Sequence, residues 1–463
     1  MCPDAGSAAG GFDVLIVGGG AAGVLVAIQL LAGHVPAPRV AIVEPAGRLG
    51  EGAAYSTTHP AHLLNVPASR MGAFAERPEH FLDVLAGGDG ASRSRLADSF
   101  APRRDYAHYL RATLDSMPGR DALAHLRAQA EDIAPDGDGW LVQLSTDARV
   151  RAAHVVLAIG NAPRPLPPFL LHPGVRTVDA WDYAGLAAIP DDAGVCILGS
   201  GLSMADAALV LDRPSRRGRI LVLSRHGLLP LAHAPDGPAR NEDPDEWLPL
   251  GLRARVRRLR RRVREAAAAG EPWQWTLDGL RPHVQTLWRS LDPAQQRRFL
   301  RHAVRYWDIH RHRLAPEVAA RIEAMRGDGR LDAVAGRLRA ISAHPEGGSC
   351  VHFRPRGQTR EHMRHADWIV NASGVETSIE LRPGRLLQAL RGRGLAIPGR
   401  HGLGLAGSDD GRVLDSRGRP IPRLFVIGAL RIGDLWESIA IPELREQARE
   451  IASAIRAGPG HAG

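Results

Sequence analysis

The chain has 463 residues, about three times the ~150 expected of one domain, with 44 % hydrophobic and 24 % charged residues, so two or three globular domains with substantial cores are expected. All 59 of its basic residues other than histidine are arginine, and the absence of lysine excludes chemistry that needs a side-chain amine: a pyridoxal or aldolase Schiff base, a Walker A loop, a kinase strand lysine. A formal net charge of +9 favours polyanions, but codon bias in a GC-rich genome produces the same arginine and alanine richness, so a nucleic-acid partner is not expected from charge alone.

The first residues, Met1 to Gly11, form a Gly/Ala/Ser-rich tail without the basic and apolar regions of a secretory signal. No run of about 18 apolar residues follows, so a cytoplasmic protein without a membrane segment is expected. Phe12 to Val17 reads as a buried strand, Gly18-Gly19-Gly20-Ala21-Ala22-Gly23 as a glycine turn and Val24 to Leu31 as a buried helix. Val40 to Val43 is a second strand, ending at Glu44, which completes the opening βαβ unit of a dinucleotide-binding domain. Trp140 to Leu144 and Arg149 to Ile159 read as paired strands that run into Ala158-Ile159-Gly160-Asn161, followed by a proline-rich linker, Pro163 to Pro168.

The opening grammar then returns about 180 residues after its first use. Gly194 to Leu198 is strand-like, Gly199-Ser200-Gly201 is the turn, Leu202 to Leu211 the helix and Ile220 to Leu223 the next strand. From about Asp236 to Arg326, apolar residues such as Leu252, Val256, Leu259 and Val263 recur at helical spacing with arginines on the other faces, a helical insertion. Strand patterns resume at Cys350 to Phe353, Trp368 to Val370 and Leu424 to Ile427, and a last helix opens on Pro442 and runs through Glu443 to Ile455.

The first turn has the full GxGxxG pattern in the required context. Gly18 permits the tight turn, Gly20 lets backbone approach a pyrophosphate and Gly23 lets helix and strand pack closely. Glu44, 21 residues beyond Gly23, accepts from a ribose 2′-hydroxyl and repels a 2′-phosphate, so FAD or NAD fits better than NADP. The second turn is a variant: Met204 stands where the third glycine belongs and is expected to push helix and strand apart, and the next strand ends in Ser224-Arg225 rather than an acid. A guanidinium there suits a 2′-phosphate, which favours NADPH.

Other groupings read as structural. Cys2, Cys196 and Cys350 are odd in number, far apart and form no CxxC, which speaks against a disulfide framework, a cysteine metal site or a redox dithiol. His310 and His312 are two apart on a helix and point to different faces, so they make no metal site. The run Arg253 to Arg264 reads as a solvated helix face and Trp273, Trp275, Trp288 and Trp307 as core of the insertion. The signature FxGxxxHxxxW is not matched from Gly174, where Val178 takes the histidine place and Trp181 falls one place early.

Taken with Gly52-Ala53-Ala54-Tyr55, the segment His62 to Pro67, Ala158-Ile159-Gly160-Asn161, Ser224 to Pro230, Trp307 to Arg313, Asn371-Ala372-Ser373-Gly374 and Gly433-Asp434-Leu435-Trp436-Glu437, these turns resemble the FAD/NAD(P)-binding oxidoreductases, flavoproteins with two dinucleotide domains related to flavin monooxygenases and amino-acid N-hydroxylases. The resemblance implies an α/β fold with two Rossmann-like domains: a discontinuous FAD domain over 12–165 and 345–455, and an NAD(P) domain over 166–344 that carries the helical insertion at about 236–326. It implies FAD contacts from Gly18, Gly20, Gly23, Glu44, Arg48, Gly52, Asn65, Gly160, Gly428, Gly433, Asp434 and Glu437, with Ile133 against the adenine. Asp434 either binds ribityl hydroxyls or caps a turn. NADPH contacts are implied for Gly199, Gly201, Ser203, Ser224 and Arg225.

The activity implied is NADPH-driven reduction of FAD, with molecular oxygen as the next acceptor and a C4a-hydroperoxyflavin that hydroxylates an amine or another small soft nucleophile. Such chemistry needs a dry pocket more than a side-chain nucleophile, so no catalytic residue is assigned. The alternatives are a flavin reductase or dehydrogenase of a small molecule or redox partner, and a flavin-binding protein whose arginine helix holds RNA.

Overall fold

The computed structural model describes residues 11–33, 36–235, 237 and 241–458; Cys2, most of the N-terminal tail and Asp236 lie outside them. Two compact units divide the chain. One takes residues up to Ser56, Val66–Ala162 and the chain from Glu376 onward; the other takes Thr57–Asn65 and Pro163–Val375.

The first unit begins with six strands: β1 (Phe12–Val17), β2 (Val40–Val43), β3 (Leu123–Leu126), β4 (Ala130–Asp136), β5 (Gly139–Leu144) and β6 (Arg149–Leu157). The chain then leaves for the second unit, where it forms β7 (Thr177–Asp179), β8 (Val195–Leu198), β9 (Ile220–Ser224), β10 (Leu331–Ala343), β11 (Ser349–Pro355), β12 (His362–Ala366) and β13 (Trp368–Asn371). It returns to the first for β14 (Arg412–Leu414) and β15 (Pro420–Val426).

In the first sheet the order is β14-β15-β6-β1-β2-β3, with β4 and β5 continuing antiparallel from β6. β1 runs parallel to both neighbours, Ile16 lying beside Ile42 of β2 and Val156 of β6. Val14, Leu15, Ile16, Val40, Ala41 and Ile42 are fully buried, as central parallel strands covered on both faces must be. The crossover from β1 to β2 is the helix Ala21–Leu31, apolar all round, with nine of its 11 residues buried. It packs on the helix Ile441–Ala457, where Arg456 Nη2 donates to Gln29 O.

The second sheet has the order β12-β11-β10-β9-β8-β13-β7. β8 runs parallel to β9 and β13, β10 is parallel to β9, and β11 and β12 fold back antiparallel. This corrects the expected boundary at 344/345. β13 lies between β8 and β7, and without it the first strand of the second Rossmann unit would lose a core neighbour, so the chain stays in this unit through Val375. Among the described residues between β9 and β10 are six α-helices, from Leu252–Ala268 to Pro316–Gly327, together with the buried Trp247 and Trp288. Met204 is fully buried within the helix Leu202–Leu211. Among the described residues no helix is long and apolar enough to cross a membrane.

Thr57–Asn65 arises between first-unit segments yet packs in the second unit. His62 is fully buried there, with Nδ1 2.6 Å from Thr57 Oγ1 and Nε2 3.0 Å from the Asp206 carbonyl. A carbonyl can only accept, so Nε2 donates to Asp206 O. At the end of the strap, His233 Nε2 lies 3.0 Å from Asn65 O.

Burial, followed by the nearby Arg313 charge, lowers the His233 pKa from 6.5 to about 4. Below its ordinary value the unfolded chain takes up a proton that the folded chain refuses, so stability is complete above about pH 6.5 and declines toward pH 4, by about 3 kcal/mol at full effect. Urea unfolding across this range should show that decline, and His233→Gln should flatten it; an unchanged pH profile in the variant would assign the decline to other groups.

Candidate dinucleotide sites

The first turn follows β1. Gly18 has φ +107, and a Cβ there would come within 2.4 Å of Ala158 O. At Gly23 a Cβ would meet Gly18 O at 2.0 Å. Both positions are thus closed to any other residue by neighbouring backbone, the first by conformation as well. Gly20 differs: it has φ −70, and a Cβ would meet only Gly52 Cα, at 3.5 Å. The space in front of the helix Ala21–Leu31 is therefore open, and no side chain caps that N-terminus, which suits a phosphate held by backbone N–H groups.

Glu44 stands at the end of β2, where Oε2 accepts from Gly19 N–H at 2.9 Å and Oε1 from Ala46 N–H at 3.0 Å. The turn itself aims this carboxylate, which retains acceptor positions out of its total of about four. Gly52, with φ +51, lies against the turn, since a Cβ there would sit 3.1 Å from Gly20 Cα. Arg48 is an exposed side chain 3.7 Å from Glu51, whose carboxylate also takes a 2.9 Å bond from Arg111.

Gly428 follows β15 and Ile427, close to the same helix start, with a Cβ there 3.7 Å from Ala22 Cβ. Its N–H donates to Gln447 Oε1 at 3.0 Å, its carbonyl accepts from Ser438 Oγ at 2.8 Å, and Gln447 Nε2 donates to Ser438 O at 2.9 Å. This buried network holds the loop Gly428 to Ser438 on the last helix. Within it Gly433 is a packing glycine, for a Cβ would lie 2.4 Å from Leu403 O, and Asp434 Oδ2 accepts from Gly407 N–H at 2.8 Å. Trp436 takes φ +63 and ψ −67, a strained turn conformation for a side chain of that size, and Glu437 beside it is buried. Gly160 has φ +62, and its carbonyl accepts from the buried Arg382 at 2.8 Å.

One expected position falls elsewhere: Ile133 is completely buried in the core of the first unit, so it has no surface for an adenine. Asn65 ends the segment Thr57–Asn65, which belongs to the second unit.

The second turn repeats the first. Gly199 has φ +113 and its Cβ would meet Ala372 O at 2.0 Å, while Gly201 has open space in front of the uncapped helix Leu202–Leu211. Ser203 Oγ accepts from Trp181 Nε1 at 3.3 Å. Ser224 Oγ lies 2.9 Å from Ser200 Oγ and accepts from Gly227 N–H at 3.0 Å, so this hydroxyl ties the loop after β9 to the turn.

Arg225 is exposed beyond that loop. Its pKa is pushed down by partial burial and then by the charges of Arg305, Arg164 and Arg337, which marks a cationic cluster. These arginines come from a linker, a helix of the insertion and β10. They meet because Ser224 pairs with Ala335, two residues before Arg337, and because Arg305 is next to Tyr306, whose ring is 6.1 Å from His226. No sequence signal links positions so far apart.

Residues 15–162 match a family model described as FAD-NAD(P)-binding. No curated protein sequence matches the chain. Among solved structures, it is similar to the reduced form of an ornithine hydroxylase from Pseudomonas aeruginosa, with 17 % identity, a TM-score of 0.67 and coverage of 97 % of this chain and 99 % of that one. An ornithine N-hydroxylase from Kutzneria sp. 744, with reduced FAD, NADP+ and L-ornithine, is similar at 15 % identity and TM-score 0.67, again covering 97 % and 99 %. A cadaverine monooxygenase of Erwinia amylovora bound to FAD is similar at 14 % identity and TM-score 0.64, covering 97 % and 95 %. The chain thus has the two-domain Rossmann-like fold of these flavoprotein structures.

Proposed function

We propose that the chain is an FAD-dependent, NADPH-using monooxygenase that hydroxylates a small amine or similar nucleophile with molecular oxygen. The observation that carries this reading is the opposite chemistry of the two turns: a carboxylate at the end of β2 in one unit, a cluster of guanidiniums after β9 in the other. The first suits the ribose hydroxyls of FAD and the second the 2′-phosphate of NADPH. Solved structures of this fold that act on ornithine and cadaverine, with FAD and NADP+ named among their ligands, support an amine substrate.

When bound, FAD supplies acceptance of hydride from NADPH and activation of oxygen. The chain's own residues bind and orient. Gly18, Gly20 and Gly23 bring the N–H groups of the helix Ala21–Leu31 to a pyrophosphate, and Glu44 accepts from a ribose. Arg48, Gly52, Gly160, Gly428, Gly433, Asp434 and Glu437 serve the same cofactor through their loops. The helix Ile441–Ala457 has no side-chain cap at its N-terminus, a positive end that would stabilise negative charge on a flavin ring held in front of it. Gly199, Gly201 and Ser203 serve NADPH at the second helix, with Ser224 holding the loop that presents Arg225. Cys196 and Cys350 are buried, the Cys196 thiol being pushed up to about 12 by burial, which supports oxygen rather than a protein dithiol as acceptor.

Three outcomes are expected. Anaerobic NADPH should bleach the flavin of the holoprotein, and oxygen should then give a transient spectrum unlike oxidised or reduced flavin; reduction without the transient favours a reductase, and purified protein that binds no flavin refutes the reading. Arg225→Asp should raise KM for NADPH about tenfold to a hundredfold and leave that for NADH nearly unchanged. Gly20→Ala should keep the stability of the flavin-free protein within about 1 kcal/mol while weakening FAD, whereas Gly18→Ala should destabilise the first unit itself by more than about 1 kcal/mol in urea unfolding.

A further inference from the structure

The helix Leu252–Ala268 carries eight arginines, which the structure sorts into three groups. Arg255 is buried and donates to the Trp247, Leu248 and Leu287 carbonyls and to Ser290 Oγ. Arg258 and Arg262 pair with Glu246, Arg262 also lies 3.5 Å from Glu242, and Arg261 lies 3.6 Å from Glu265. Arg253, Arg257, Arg260 and Arg264 are exposed, and among the described residues their side chains have no hydrogen-bond or ion-pair partner.

Those four follow one another at steps of four, three and four residues, so they lie on one face in a straight strip about 16 Å long. Like charges three and four apart repel, and the nearby acids Glu242, Glu246 and Glu265 are engaged by the other arginines, so the strip is an uncompensated cost to its own helix. The helix Pro293–His302 carries exposed Arg298 and Arg301. It is joined to the start of this helix by the Leu252 N–H to Gln295 Oε1 bond.

We propose that the strip Arg253, Arg257, Arg260 and Arg264 docks an acidic partner protein through a helix that repeats Asp or Glu at the same four-three-four spacing. Two α-helices share one rise per residue, so each guanidinium meets a carboxylate in register without deforming either partner, and the planar fork of arginine matches a carboxylate in two bonds. The arginines advance by about 4.5 and 6 Å along the helix, and a phosphate backbone is the competing occupant that the duplex probe below measures. No large hydrophobic side chain is exposed on this helix to enter a lipid bilayer or to stack on a base. The inference is independent of the proposed activity.

The test is fluorescence anisotropy of the full chain with three probes: a helical peptide carrying four glutamates at four-three-four spacing, a peptide of the same composition with those glutamates spread around the helix, and a short DNA duplex. The striped peptide should bind about tenfold more tightly than the spread one, and its binding should weaken as salt rises. The double variant Arg257→Glu, Arg260→Glu should lose about tenfold or more while its circular dichroism and NADPH consumption stay unchanged. Equal binding of the two peptides, no binding of the striped one, tighter binding of the duplex, or full binding by the double variant would each overturn the proposal.

Discussion

Both units rest on one close approach of backbone to backbone. After β1 the chain turns at Gly18, whose N–H donates to Val43 O at the end of β2 and whose α-carbon presses on Ala158, just past β6. After β8 the chain turns at Gly199, whose N–H donates to Leu223 O near the end of β9 and whose α-carbon presses on Ala372, just past β13. In each case the alanine N–H returns a bond to the last residue of the turning strand, Val17 or Leu198. A Cβ at either glycine would lie 2.0–2.4 Å from a carbonyl oxygen, so three strand ends are locked together only if that residue has no side chain. The helix that follows is thereby aimed, and with it the open N-terminus that makes a dinucleotide site.

From this shared frame the two sites diverge by electrostatics. In the first, the acid at the end of β2 bonds directly to the turn through Gly19 N–H. In the second, the tie is made by hydroxyls, Ser200 to Ser224, and the charge beyond it is positive. Met204, in place of a third glycine, is accommodated by full burial in its helix.

Arginine does the work that lysine shares in most chains. Buried Arg255, Arg382 and Arg431 each bond main-chain carbonyls, a use for which several forked N–H groups and weak hydration are suited. Some exposed arginines, such as Arg151, Arg326 and Arg419, pair with acids at the surface, where each pair contributes little. Arginines also gather at the end of β9, where Arg164, Arg305 and Arg337 act on Arg225, and on the outer face of the helix Leu252–Ala268.

Sequence by itself determined the two turns, because a glycine demanded by backbone contact, an apolar strand before it and an apolar helix after it are all local features. It determined the opposite charges at Glu44 and Arg225 for the same reason, since each is the residue that ends or follows the next strand. It did not determine where the second unit closes: β13 looks like any short apolar strand, and only its place between β8 and β7 keeps it out of the first unit. Nor did it reveal that Ile133 is spent in the core, that Thr57–Asn65 belongs with the second unit, or that Arg164, Arg305 and Arg337 surround Arg225. These depend on contacts between segments distant in the chain, and burial, strand order and the summed field of separated charges exist only once those segments have been brought together.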